Sequence, residues 1–419
     1  MNKFMVATVR KVVGLNMSVQ LLIILIATIL FGDLLPMGVK SFFFSTSVFL
    51  KECLLFVLPI VIFGHLFSCL INIQSKKTLA LMFLLFGIIC VSNYFSTLVA
   101  YSIGIFKITN MNLVGVDLGL KSELLPLFSY KLPQLLSNQQ GLILGLLLGS
   151  IFSFFPNNRV SKYSDGLQKV SNFFIEKFFI PLLPVFSFGF ILKMQHDGVL
   201  DQIVKTSLPL ISIIVATSIV YLLFLFSVAA NFNYKKFISY LKNVLPVGIM
   251  GFSTMSSLAT MPLTLKAAEK NTNDVDVSRL VIPTASNVHL VGDSIAIPLV
   301  ALSLLLGFGN EFPSFAVYSL FAIYFALAKF SVAAVPGGGI LVMLPVLEQY
   351  LGFTDEMLNI ITALYIVFDP VVTVINVLGN SVLVILIAKM FKKLSLVKKY
   401  LGLMIANFGI KAKYFLKRV

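Results

Sequence analysis

Long apolar runs separated by short polar loops dominate the first half of this chain. They place spans at roughly Ser18–Leu35, Ser45–Ile73 and Leu79–Ile103, a fourth in "GLILGLLLGSIFSFF", and two more near Phe173–Leu192 and Pro209–Ala230. Continuous apolar stretches approaching or exceeding about 18 residues fit helices that cross a bilayer. A transmembrane barrel would instead show segments of about ten alternating residues. The stretch 104–136 mixes short apolar and polar pieces and yields no element. The loops "QSKKT", "PNNRVSKYSDGLQK" and "NFNYKKFISYLKN" are basic, whereas "MQHDGVLDQ" carries acids and no Lys or Arg. Basic loops stay cytoplasmic, so the alternation predicts both termini inside.

The pattern changes in the second half. Val244–Lys270 is apolar, then small and polar around "STMSSLAT", then amphipathic, and returns to a basic end. Two half-helices meeting at a polar tip fit this better than one straight span. A second break, "AVPGGG" at Ala334–Gly339, sits between flanks that carry acids and no Lys or Arg. Proline and three glycines do not hold a regular helix. The two stretches read as re-entrant hairpins from opposite faces, each followed by a span, which makes an inverted repeat. In secondary transporters such breaks form substrate and ion sites.

Composition sharpens this. Of 419 residues, 58% are hydrophobic and 12% charged, against about 25% charged in soluble domains. The net charge of +15 lies in loops between spans, which argues against nucleic-acid binding. Cys53, Cys69 and Cys90 each fall in apolar stretches and read as buried thiols, with no metal-ligand spacing. The first span lacks a cleavage site and reads as a retained helix. The basic tail, 391–419, is partly amphipathic and fits the cytoplasmic membrane surface and its lipid. Asp33, Lys51 and Glu52 read as interfacial, and His65 as a packed scaffold histidine.

Four polar clusters carry the candidate chemistry. The first is the hairpin tip Ser253, Thr254, Ser256, Ser257 and Thr260. The second is "SNVHLVGDS", Ser286–Ser294, with Asn287, His289 and Asp293 among aliphatic neighbours and Gly292 to loosen the helix. The third is the "AVPGGG" tip. The fourth is Asp369, Thr373, Asn376 and Asn380, spaced by four, three and four and therefore on one helical face. A polar stripe on a spanning helix faces protein or water rather than lipid. Asp369 suits an ammonium group and Asn376 an α-carboxylate, the two ends of an amino acid.

At these residues the chain resembles the dicarboxylate/amino acid:cation symporters, the glutamate-transporter homologues. "STMSSLATMPLT", "NVHLVGDS", "AVPGGG" and "DPVVTVINVLGN" occur in the order of that family's first hairpin, seventh helix, second hairpin and eighth helix. The resemblance implies an all-α polytopic membrane protein of eight transmembrane helices and two re-entrant hairpins. It also implies a homotrimer of independently working protomers, with the second hairpin as external gate and an elevator-like transport domain. Residues 1–235 would be mainly N-terminal helices including the trimerisation scaffold, with the third and sixth helices joining the transport domain. Residues 236–390 would be the transport core. By the same resemblance Ser257, Val335, Gly339, Asp369, Thr373 and Asn376 line the substrate site, with Ser256 and Val372 beside them; the polar residues Asn287, His289, Asp293, Asn376 and Asn380 are the candidates for the coupling cation.

The departures matter as much. The family's side-chain-reading arginine falls at Val372, which leaves a second carboxylate without a bidentate partner. The cargo expected is therefore a small neutral amino acid; Met255, Lys266 and Lys329 would be basic or flexible substitutes only in an unusual arrangement of the helices. Two cation-binding carboxylates fall at Val291 and Asn380. Asp293 is placed to compensate, or His289 and Asp293 titrate together, so the coupling ion is sodium or proton. An acidic amino acid or C4-dicarboxylate symporter, an uncoupled channel and, last, a membrane enzyme are the competing readings; no catalytic constellation or cofactor is expected. Short loops and the resemblance point to a bacterial inner membrane.

Overall fold

The computed structural model describes residues 17–71, 76–109, 124–133, 135–136, 138–154, 158–332 and 338–416. These residues form fourteen α-helices and no strand. The first seven are α1 (Met17–Phe31), α2 (Met37–Ile71), α3 (Lys76–Ile103), α4 (Asn138–Phe154), α5 (Asn158–Phe173), α6 (Ile180–His196) and α7 (Val199–Ala229). They cover the six spans expected from the apolar runs. One expected loop is a helix: the polar stretch after Asn158 is α5, which a π-turn at Phe174–Phe179 joins to α6. Val160, Tyr163, Leu167 and Val170 recur at helical spacing there, a weak apolar stripe inside a polar run. "MQHDGVLDQ" is a tight reversal at Asp197–Gly198, with Gly198 at φ 76°. Of the unassigned stretch 104–136, a π-turn at Gly104–Ile108 extends α3, and residues 124–133 are irregular.

The broken elements follow. Helix α8 (Tyr234–Thr254) ends at Met255, whose φ of 49° reverses the chain. Ser256 then caps α9 (Ser257–Thr272) by accepting from the Ala259 amide at 3.3 Å. The far ends of this pair meet where Asn243 Nδ2 donates to Asn271 Oδ1 at 2.6 Å, so the arms are antiparallel. Asp274 caps α10 (Val275–Ala285), residues 286–290 leave the helix, and α11 (Val291–Gly307) resumes it.

Ser314 caps α12 (Phe315–Ala328), which tightens into a 3₁₀ turn at Lys329–Ser331. The core of the "AVPGGG" tip, Val335 included, lies outside the described residues. Helix α13 (Gly338–Leu351) returns beside α12, with Tyr324 and Tyr350 stacked at 4.3 Å between ring centroids. Helix α14 (Asp355–Leu416) then runs 62 residues through Pro370 and on through the basic tail.

Among the described residues, three stretches are each long and apolar enough to cross a membrane: Phe83–Ile108, Pro209–Ala229 and Phe368–Lys393. Helices α12 and α13 have 14 residues each. At about 1.5 Å per residue they reach about 21 Å, short of a hydrocarbon layer of about 30 Å.

Packing sorts the helices into two sets. α2 packs against α4, α5 and α6, and α1 against α6. α3 and α7 pack instead with the broken elements: α3 on α11 and α12, and α7 on α11 and α14. Tyr318 on α12 donates to the Thr97 carbonyl of α3 at 2.8 Å, and Tyr101 on α3 to the Pro313 carbonyl at 2.9 Å. The second set encloses α11, of which every residue but Leu306 is buried.

Candidate functional site

The site grows from the break at 286–290. Chain that leaves the helix exposes backbone groups that need partners in a membrane. Asn93, from α3, supplies two: its Nδ2 donates to the Val288 carbonyl at 2.7 Å and its Oδ1 accepts from the Leu290 amide at 3.2 Å. The break falls just before Gly292 rather than at it, and Gly292 serves another purpose. A Cβ there would lie 2.4 Å from the Val372 carbonyl oxygen, so its bare backbone lets α11 press against α14.

Against this backbone lies the polar stripe of α14. Asn376 Oδ1 accepts from the Gly292 amide at 2.8 Å, and its Nδ2 donates to Asp293 Oδ2 at 2.7 Å. Tyr365 donates to Asp293 Oδ1 at 2.5 Å. Asn380 Oδ1 meets His289 Nδ1 at 3.1 Å, and Ser92 on α3 meets His289 Nε2 at 2.9 Å. An imidazole with its proton on Nδ1 satisfies both contacts, donating to Asn380 and accepting from Ser92. Thr373 donates to Asp369 Oδ1 at 3.3 Å, with which Tyr365 also interacts. Asp293, Asp369, Thr373, Asn376 and Asn380 are all buried.

His289 and Asp293 are four apart but enter separate networks. His289 faces Ser92 and Asn380; Asp293 faces Tyr365 and Asn376. His289 precedes the first turn of α11, so helical spacing does not relate the two.

The helix pairs close the site from two sides. Gly248 and Gly251 of α8 lie against Val374, Val377 and Leu378, away from the polar stripe, and α9 packs along α14. Ser256 and Ser257 stand at the turn of this pair, Ser257 buried. From the other pair, Gly339 comes so close that a Cβ would lie 2.3 Å from Asp293 Oδ1 and 2.5 Å from the Tyr365 hydroxyl. Val372 is fully buried and Val335 lies outside the described residues. Asn287 stands in the break, and its buried Oδ1 has no hydrogen-bond partner among the described residues.

Three participants escaped the reading of the sequence, and a fourth, Lys329, was read only as a candidate substitute for the arginine. Tyr365 is four residues before Asp369 and extends the same stripe, so the spacing already pointed to it. Asn93 and Ser92 are polar residues within an apolar span. Lys329 is fully buried; its Nζ donates to the Leu290 carbonyl at 2.9 Å and to Ser294 Oγ, and lies over the Phe325 ring. It does not stand in for the arginine missing at Val372.

Buried polar groups thus gather at a helix break in an all-α protein whose helices include stretches long and apolar enough to cross a membrane. Residues 17–390 match the Sodium:dicarboxylate symporter family, and the chain belongs to that family. It is 28% identical over 198 residues to excitatory amino acid transporter 1 of Rattus norvegicus, covering 46% of this chain and 35% of that one. It is 27% identical over 192 residues to the proton/sodium-glutamate symport protein of Bacillus caldotenax, 44% of either chain. An excitatory amino acid transporter of Caenorhabditis elegans is 29% identical over 145 residues, 34% of this chain and 28% of its own. The chain thus spans less than half the length of each of these relatives.

Proposed function

We propose that the chain is a secondary active symporter for a small neutral amino acid, coupled to sodium or proton. The observation that carries this is Asp369: a buried carboxylate on a helix face shared with Thr373 and Asn376, one turn from Tyr365 and next to a fully buried Val372. Asp369 takes the substrate ammonium, and Asn376 and Thr373 the α-carboxylate, with Ser256 and Ser257 approaching from the first helix pair and Val335 and Gly339 from the second. Asn376 now holds Gly292 and Asp293, so substrate binding exchanges those contacts for its own. Without an arginine at position 372, an apolar or small side chain suits the space better than a carboxylate.

The coupling cation is read into Asn287, His289, Asp293, Asn376 and Asn380. The Asn287 Oδ1, without a hydrogen-bond partner among the described residues, supports an oxygen-lined ion position near the break. The two packing sets support an elevator, with α1, α2 and α4–α6 as the static part and α3 and α7–α14 as the moving one. Eight spans with two re-entrant hairpins, a homotrimer, cytoplasmic termini and a bacterial inner membrane complete the proposal.

Uptake by reconstituted protein, run with separate sodium and proton gradients, tests it. Alanine and serine should compete for uptake, and aspartate and succinate should not. A second reading, an acidic amino acid or dicarboxylate as cargo, draws on the names of the relatives, which include a glutamate symporter. Competition by succinate would favour it, because succinate leaves Asp369 without an ammonium partner.

A further inference from the structure

Lys329 is the one charged group at this site that the proposed mechanism leaves without a task. It sits on the 3₁₀ turn that ends α12, fully buried, and its side chain reaches across to the other broken element. An ammonium has three hydrogens and no acceptor. Three acceptors meet it: the Leu290 carbonyl at 2.9 Å, Ser294 Oγ, and the face of Phe325 with its centroid at 4.6 Å. Ser294 donates its own proton to the Leu290 carbonyl at 3.0 Å, which leaves a lone pair of Oγ turned to the ammonium. The Asp293 carboxylate acts on the same charge electrostatically.

The Leu290 carbonyl also accepts from the Ser294 amide at 2.9 Å as the first bond of α11; a carbonyl at a helix end, a hydroxyl oxygen and a carboxylate within electrostatic reach are groups that a hard monovalent cation seeks at a broken membrane helix. Here the positive charge arrives covalently attached. A lone buried ammonium is strongly disfavoured without partners; here two oxygens and the Phe325 face supply them.

We infer that the Lys329 ammonium is a tethered cation: it occupies, from the α12 turn, an oxygen site at the α10–α11 break that would otherwise hold a free sodium ion. The inference rests on the symporter reading for its consequence, namely that binding of the cargo needs no sodium at this position. Its structural content is independent of the cargo.

The test therefore uses no amino acid. Full-length protein purified in detergent is melted in increasing sodium chloride and, in parallel, choline chloride. Lys329→Ala and Lys329→Gln should gain a saturable, sodium-specific rise in melting temperature beyond whatever rise the wild type shows from sodium at the coupling residues. Variants whose sodium response is no larger than that of the wild type overturn the inference. A variant recovered in sodium but not in choline supports it. If neither variant is recovered, wild-type crystals soaked in thallium(I), a heavy stand-in for a monovalent cation, decide. An anomalous peak on the Leu290 carbonyl and Ser294 Oγ overturns the assignment, and an ion-free site filled by the lysine upholds it. Because cargo is absent throughout, failure of the neutral amino acid reading would show only in the uptake competition and would leave these outcomes unchanged.

Discussion

Helices α7 and α14 both contain a stretch apolar enough to cross a bilayer, and they behave as opposites. In α7, 28% of the most apolar window is buried, and Ile219, Val220 and Phe224 are exposed on the outside of the protein; in α14 the share is 72%. Apolarity alone tells that a segment belongs in the membrane. It does not tell whether a face meets lipid or protein, because lipid tails and leucine side chains are equally apolar. The polar stripe of α14 does tell, since every group in it needs a partner that lipid cannot give. The largest expected effect breaks that contrast at its centre. Asp369→Asn removes the charge proposed to hold the substrate ammonium, and losing one partner of a buried ion pair costs about 3–5 kcal/mol. Amino acid affinity should fall by roughly a hundredfold or more, while Val220→Ala on α7 leaves it unchanged. Binding measured by calorimetry in detergent checks both, and a full-affinity Asp369→Asn variant would remove Asp369 from the site.

Next in size is the junction between stripe and break. Asn376→Leu keeps the volume but leaves the Gly292 amide unpaired and takes a donor from Asp293. A buried donor without a partner costs about 1–3 kcal/mol, and a hydrogen bond to a charged group about 1.5–3. Together these predict a loss of about 3 kcal/mol in stability, read as a lowered melting temperature without cargo.

What the sequence disclosed follows the same physics. The stripe at 369, 373, 376 and 380 was legible because helix periodicity survives in one segment, and the positions of both helix pairs were legible because Pro, Gly and Ser cluster at their tips. The partners across the gap were not. Asn93, Lys329 and Gly339 come from elements far apart in the chain, and nothing local in "VSNYFST" or "ALAKFSV" says which break each will meet. His289 and Asp293 enter separate hydrogen-bond networks for a related reason: periodicity holds only within a helix, and the break interrupts it. The helix α5 was missed because its apolar stripe is thin.

A smaller effect compares two glycines. At Gly292 an added methyl would meet the Val372 backbone carbonyl, which no rotamer change can move aside. Gly292→Ala should lose about 1–3 kcal/mol. Gly87, within α3, has nothing among the described residues within 4 Å of the same added atom. Gly87→Ala should be neutral or gain roughly 0.5–1 kcal/mol, because glycine inside a helix is itself unfavourable. Equal melting temperatures for the two variants would mean that α11 and α14 do not pack this closely.

The smallest effect lies where the outer helices touch the inner ones. Lys51 of α2 reaches the start of α14, bonding Asn359 Oδ1 at 3.4 Å and lying 3.6 Å from Asp355. The Lys51 side chain is buried, but that of Asp355 is 76% exposed. Water and salt screen such a pair, and measured values for exposed pairs stay at or below about 1 kcal/mol. Asp355→Ala should therefore shift the melting temperature little, and less still at high salt. A weak tie is also what a moving part needs where it meets a fixed one. If α14 travels with the cargo while α2 stays, this contact has to release in each cycle, and a strong one would hold one state. A loss of several kcal/mol in Asp355→Ala would mark the pair as a fixed joint, and would set the boundary between the two sets somewhere other than between α2 and α14.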